Sequence, residues 1–150
     1  MYIIYEQFQK SKIIIFFIYI IMAFLLLFVI IRSGLPNITS IVLFFVFLFD
    51  IYLLVCFYKL TFRITSDGIE FGFGFFKRKI KKDKIQSVFI DDPVGIFIGY
   101  GIRFGKNKTL GFIAREGDGL TIKTKYGLVF FVSLDDPKTA LDIIKQNNYV

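Results

Sequence analysis

Two long apolar runs near the N-terminus constrain this chain more than any other feature. Ile13 to Ile31 reads IIIFFIYIIMAFLLLFVII, with no charge and with Tyr19 as its one polar interruption. Ile41 to Tyr58 reads IVLFFVFLFDIYLLVCFY and stops at Lys59. The nineteen residues of the first run, at about 1.5 Å of helical rise each, match a hydrocarbon core about 30 Å thick. A buried helix of a water-soluble domain would present a polar stripe, and the first run has none. A cleaved leader fits less well, because the run exceeds an ordinary leader's apolar region and no small-x-small site follows Ile31.

Between the runs, RSGLPNITS (Arg32 to Ser40) gathers the turn formers Gly34, Pro36 and Asn37. The expectation is an antiparallel pair of transmembrane helices, 13–31 and 41–58, with a loop at 32–40. Lys10, Lys12, Lys59 and Arg63 flank the ends away from the loop, against Arg32 alone within it. The positive-inside rule then places both termini in the cytoplasm and the loop outside, in a multi-pass protein of the cell membrane. The sequon Asn37-Ile38-Thr39 would lie among the headgroups and reads as coincidence.

Asp50 interrupts the second run, where an acid costs about 2.5–3.5 kcal/mol in mid-membrane. It could serve a proton or cation. It could also be a protonated side chain bonded to a neighbouring helix, its pKa raised by desolvation. Tyr19 lies six residues after the start of one run and Asp50 eight before the end of the other, so antiparallel packing brings them to similar depth. An Asp50–Tyr19 contact, or an Asp50 contact between protomers, is the expectation. Two spans with one acid make a poor translocation path.

Composition removes several chemistries. Cys56 is the only cysteine and His is absent, so an intrachain disulfide, a His-containing triad and the usual zinc sites are excluded. No metal or other cofactor is expected. Cys56 sits in apolar surroundings and reads as inert packing. The formal charge of +7 favours acidic partners.

After Lys59 the apolar period changes to two. LTFRIT (Leu60 to Thr65) and IEFGFG (Ile69 to Gly74) alternate around Asp67-Gly68, a hairpin signal. Further strands are predicted at Ile85 to Ile90, Tyr100 to Phe104, Leu110 to Ala114, Leu120 to Lys125 and Leu128 to Ser133. Turn signals at Asp92-Pro93, Gly105 to Asn107, Gly117 to Gly119 and Tyr126-Gly127 separate most of them. Such regular spacing argues for an antiparallel barrel or sandwich. The end differs: in DDPKTALDIIKQNN, Asp136 is the predicted N-cap, Pro137 the first helical residue, and Ala140, Leu141 and Ile144 one apolar face.

Taken together, the two apolar runs, FRITSDGIEFGFG, a basic strand leading into IQSV, GYGIRFG and the final DDPKTALDIIKQ resemble the membrane-anchored bacterial pleckstrin-homology-like domain proteins. The resemblance spans essentially the whole chain. Its most specific pieces are Gly68-Ile69-Glu70-Phe71, Ile85-Gln86-Ser87-Val88 and Gly101-Ile102-Arg103, and Tyr100 stands where relatives often carry Trp. It implies a bent barrel of about seven antiparallel strands capped by the C-terminal helix, with no enzymatic activity and no fixed ligand. The expected organisation is therefore an N-terminal cytoplasmic segment (1–12), the transmembrane hairpin (13–58) and a cytoplasmic pleckstrin-homology-like domain (60–150).

Six of the eight residues from Lys77 to Lys84 are basic: Lys77, Arg78, Lys79, Lys81, Lys82 and Lys84. If the first β-hairpin stands upright on the membrane, its return strand brings Phe75 and Phe76 back to the depth of Lys59, with these cations beside them. The block would then contact anionic headgroups of the inner leaflet, at about 1 kcal/mol per cation, with the two Phe rings at the interface. The competing reading is the solvated face of an edge strand, where Lys deters aggregation. Nucleic acid is disfavoured, because no aromatic interleaves the block. GIFIGYGIRFG (Gly95 to Gly105) has the wrong glycine spacing for a phosphate loop. The acidic pairs Asp91-Asp92 and Asp135-Asp136 suit turns and caps better than paired catalysis; Arg103 could pair with Asp91, Asp92 or Glu116. The expected function is non-enzymatic: a binding or scaffold module at the membrane surface, with a protein partner or a second copy of itself. The alternatives are an accessory subunit of a transporter complex and protection against membrane-active peptides.

Overall fold

The structure, a computed structural model, describes residues 2–31, 37–92, 100–105 and 109–149. In chain order these form β1 (Ile3–Lys10), α1 (Lys12–Ile31), α2 (Asn37–Phe57), β2 (Lys59–Thr65), β3 (Gly68–Phe73), β4 (Phe76–Lys81), a 3-10 turn (Lys82–Lys84), β5 (Ile85–Asp91), β6 (Gly101–Phe104), β7 (Thr109–Ile113), β8 (Gly119–Thr124), β9 (Val129–Ser133) and α3 (Pro137–Gln146). The connection 32–36, the glycines Gly95 and Gly99, and parts of the turns expected at Asp92-Pro93 and 105–107 lie outside the described residues.

The strands make two sheets, ordered β1-β2-β3-β4 and β5-β8-β9-β7-β6. Period-two alternation builds the first. Leu60, Phe62 and Ile64 of β2 lie opposite Phe73, Phe71 and Ile69 of β3, and all six are buried. In the second sheet, Leu120 and Ile122 of β8 face Val132 and Phe130 of β9. The sheets meet through Phe71, whose ring lies 5.1 Å from that of Phe112 and 5.5 Å from that of Phe130. Such aromatic pairs add about 0.5–1.5 kcal/mol each beyond their burial.

The C-terminal helix forms on the expected signals. Asp136 Oδ1 accepts from the Thr139 N–H at 3.0 Å, Pro137 opens the helix, and Ala140 and Ile144 are fully buried. The helix packs on β5 and β8. Beyond it, the buried Tyr149 donates its hydroxyl to the Thr65 carbonyl, tying the end of the chain to the first sheet.

Three findings revise the sequence-based picture. First, both apolar runs are helical and pack on each other, but among the described residues no helix is long and apolar enough to cross a membrane. The transmembrane hairpin, and with it the multi-pass cell-membrane placement with two cytoplasmic termini, is corrected to a helical hairpin on a mainly β body. Second, residues 3–10, expected only as part of an N-terminal segment, form strand β1, antiparallel to β2 from Ile3↔Thr65 to Lys10↔Lys59. The Ser11 N–H donates to the Tyr58 carbonyl at 3.1 Å, extending the ladder up to the helices. The helical hairpin is thus an insertion at the end of a β-ribbon. Third, the barrel of about seven antiparallel strands becomes, among the described residues, nine strands in two sheets. β9 slots between β8 and β7, so it runs antiparallel to the first and parallel to the second.

Candidate functional site

The basic block occupies an edge. β4 has β3 on one side and, among the described residues, no strand on the other. Its residues lie opposite β3 as Phe76↔Phe73, Lys77↔Gly72, Arg78↔Phe71, Lys79↔Glu70, Ile80↔Ile69 and Lys81↔Gly68. Phe76, Arg78 and Ile80 therefore share the core-facing row, and Lys77, Lys79 and Lys81 the outer one. Of these six only Ile80 is buried.

The six cations do not share one fate. Glu6, Arg63, Glu70 and Lys79 are successive cross-strand neighbours over β1 to β4, an alternating-charge row on the outer face. Arg63 Nε is paired with Glu6 Oε1, and Lys79 Nζ lies 3.7 Å from Asp67 Oδ2. Asp67 is held below the usual Asp range, first by the Ser66 hydroxyl bonded to it and then by the charge of Lys79. Lys82 Nζ donates to the Asn147 carbonyl at 2.7 Å and stands 5.0 Å from the Tyr149 ring, so it caps the carbonyl end of α3. Lys84 stands 5.3 Å from the Tyr126 ring. Lys77, Arg78 and Lys81 are exposed and have no ion pair among the described residues.

The aromatic residues of the β3–β4 turn separate likewise. Phe76 stacks on Phe57 at the end of α2, with centroids 5.8 Å apart, and Phe57 also meets Phe73 at 5.7 Å. Gly74 makes this approach possible: its φ is +44°, and a Cβ there would sit 2.7 Å from the Cys56 carbonyl oxygen. Phe75 projects outward, 79% exposed. One end of the edge thus presents a free Phe ring, a half-exposed one, and Lys77 and Arg78 next to them.

The other expected sites resolve differently. Asp50 is buried and its Oδ2 has no hydrogen-bond partner, whereas Tyr19 is 61% exposed; no hydrogen bond joins the two among the described residues. Asp91 accepts from Thr121 Oγ1 at 3.2 Å and Glu116 accepts from the Tyr100 hydroxyl at 2.9 Å, and among the described residues no ion pair joins either to Arg103. Arg103 instead lines a cleft of about 310 Å³ with Ile18, Leu53 and Phe57 at the foot of the helices. Among the described residues no cluster of acidic or Cys side chains could hold a metal ion. What sequence reasoning missed is the division of the six cations. Its partners, Asp67, Tyr126, Asn147 and Tyr149, lie on other elements, and no local pattern announces them.

No family model matches the chain, and neither the curated proteins nor the solved structures contain a match to it.

Proposed function

We propose that the chain is a non-enzymatic binding module, pleckstrin-homology-like in plan, whose β4 edge rests on anionic lipid headgroups and leaves its other faces to a protein partner. The observation that carries this reading is the set of uncompensated groups at one edge. Among the described residues Lys77, Arg78 and Lys81 form no ion pair, and they lie beside the exposed Phe75 and the half-exposed Phe76. A cation already neutralised within the fold gains little from a negative surface; an unpaired one gains about 1 kcal/mol near an anionic leaflet. Three such cations would supply about 3 kcal/mol, roughly a hundredfold in affinity, and the exposed rings add apolar contact at the interface.

Flotation of the full chain with vesicles of phosphatidylglycerol or of phosphatidylcholine tests this. Binding should favour the anionic vesicles at low salt, and the preference should fade as salt shortens the Debye length. Equal flotation with both lipids at low salt would remove the proposal.

A further inference from the structure

A second polar site lies where β1 reaches the helices, and its chemistry is independent of the basic edge. Gln9 is 4% exposed and Ser133 fully buried. The Ala114 N–H donates to Ser133 Oγ at 2.9 Å, so the hydroxyl proton of Ser133 must point elsewhere. It points to Gln9 Oε1, 3.1 Å away. In this arrangement Oε1 is engaged, and Nε2 is buried with no acceptor among the described residues. Arg115 repeats the situation. Its Nη1 donates to Asp135 Oδ1 at 3.2 Å, while its Nε is buried with no acceptor.

Gln9 and Arg115 line one cleft of about 580 Å³, together with Lys10, Tyr100, Glu116 and Asp135. This size is ordinary for a small-molecule site. Both carboxylates are already engaged, Asp135 by Arg115 and Glu116 by the Tyr100 hydroxyl. The buried groups of the cleft that have no partner among the described residues are both donors, Gln9 Nε2 and Arg115 Nε, while the exposed Lys10 ammonium stands 5.7 Å from the Tyr58 ring. A buried donor left unpaired costs about 1–3 kcal/mol, so a ligand that brings an acceptor oxygen relieves that cost twice. Lys10 and Arg115 offset Glu116 and Asp135 in formal charge, which suits one anionic group better than a polyphosphate.

We infer that this cleft binds a small molecule through a single oxyanion group, carboxylate or phosphate, with Gln9 Nε2 and Arg115 Nε as its donors and Lys10 as the nearby cation. The side-chain amide resonances of Gln9 in the 15N-labelled full chain report on it directly, with benzoate and phenyl phosphate as probes. A saturable shift of those resonances is expected, and the probe that binds tighter names the group. Gln9→Glu keeps an oxygen toward Ser133 but replaces the donor with a second oxygen, and it should weaken binding by at least about tenfold. Arg115→Lys keeps the charge but removes Nε, should also weaken binding, and carries the test if the first variant does not fold. No saturable shift with either probe overturns the inference, as does binding that the folded variants leave unchanged.

Discussion

The helical hairpin and the β body use the same apolar residues in opposite ways. In the body, Phe62, Phe71 and Phe73 are wholly buried, because a strand turns every second side chain inward and the facing sheet covers that row. In the hairpin, Phe24, Phe45 and Val55 are 68%, 63% and 62% exposed. Between residues 12 and 57 the described side chains that are buried are Ile18, Asp50 and Cys56. A helix that is apolar on all sides can cover only the stripe that meets its neighbour. Asp50 illustrates the contrast: an acid occupies one of the few buried positions while phenylalanines remain outside. Exposed apolar area of this extent is uncommon on a folded monomer, so the hairpin leaves in the open the kind of side chain that the body covers. The β1–β2 ribbon joins the two.

The largest expected effect separates the regions. Phe71→Ala removes the ring at the meeting of the two sheets and should destabilise the fold by about 3–5 kcal/mol. Phe24→Ala trims an exposed helix side chain and should change stability by no more than about 0.5 kcal/mol. Urea denaturation followed by the β signal measures both. A comparable loss in Phe24→Ala would mean that the hairpin belongs to the cooperative core and would break the contrast.

A smaller effect, within the body alone, concerns the cap of α3. Asp136 is held below the usual Asp pKa, first by the Thr139 hydroxyl and then by the Thr139 N–H. Because the folded value is depressed, the cap's contribution is full above the unfolded pKa of about 4 and is lost as pH falls through the folded value. NMR titration of the Asp136 carboxyl should give a midpoint below that of an unstructured Asp. The amide protection of α3 should fall over the same acid range, and Asp136→Ala should remove that pH dependence. The hairpin's helices should not respond to this titration.

Much of the body was legible in the sequence because its signals are local. The alternation in LTFRIT and IEFGFG announced β2 and β3, but the turn lies one residue earlier than expected, at Ser66-Asp67, and the pairing register shifts with it. Asp136 and Pro137 announced α3. β1 was not legible, because its partner β2 lies beyond the whole helical hairpin and IIYEQFQK does not alternate strictly. The parallel β7–β9 pair was missed for a related reason: β8, which intervenes in sequence, pairs on the far edge of β9. At the basic block, composition revealed six cations within eight residues, four of them on β4 and two in the 3-10 turn after it. Which of them are spent on Asp67, Tyr126, Asn147 and Tyr149 depends on contacts that only the folded chain brings together.

Two triple variants with the same change in net charge test the central claim most directly. One carries Lys77→Glu, Arg78→Glu and Lys81→Glu; the other carries Lys79→Glu, Lys82→Glu and Lys84→Glu. In flotation with phosphatidylglycerol vesicles, the first should lose the preference for anionic lipid. The second should keep it while melting at a lower temperature, since its cations hold the fold together. Equal loss of lipid preference in both would show that charge count governs binding, against the edge geometry described above.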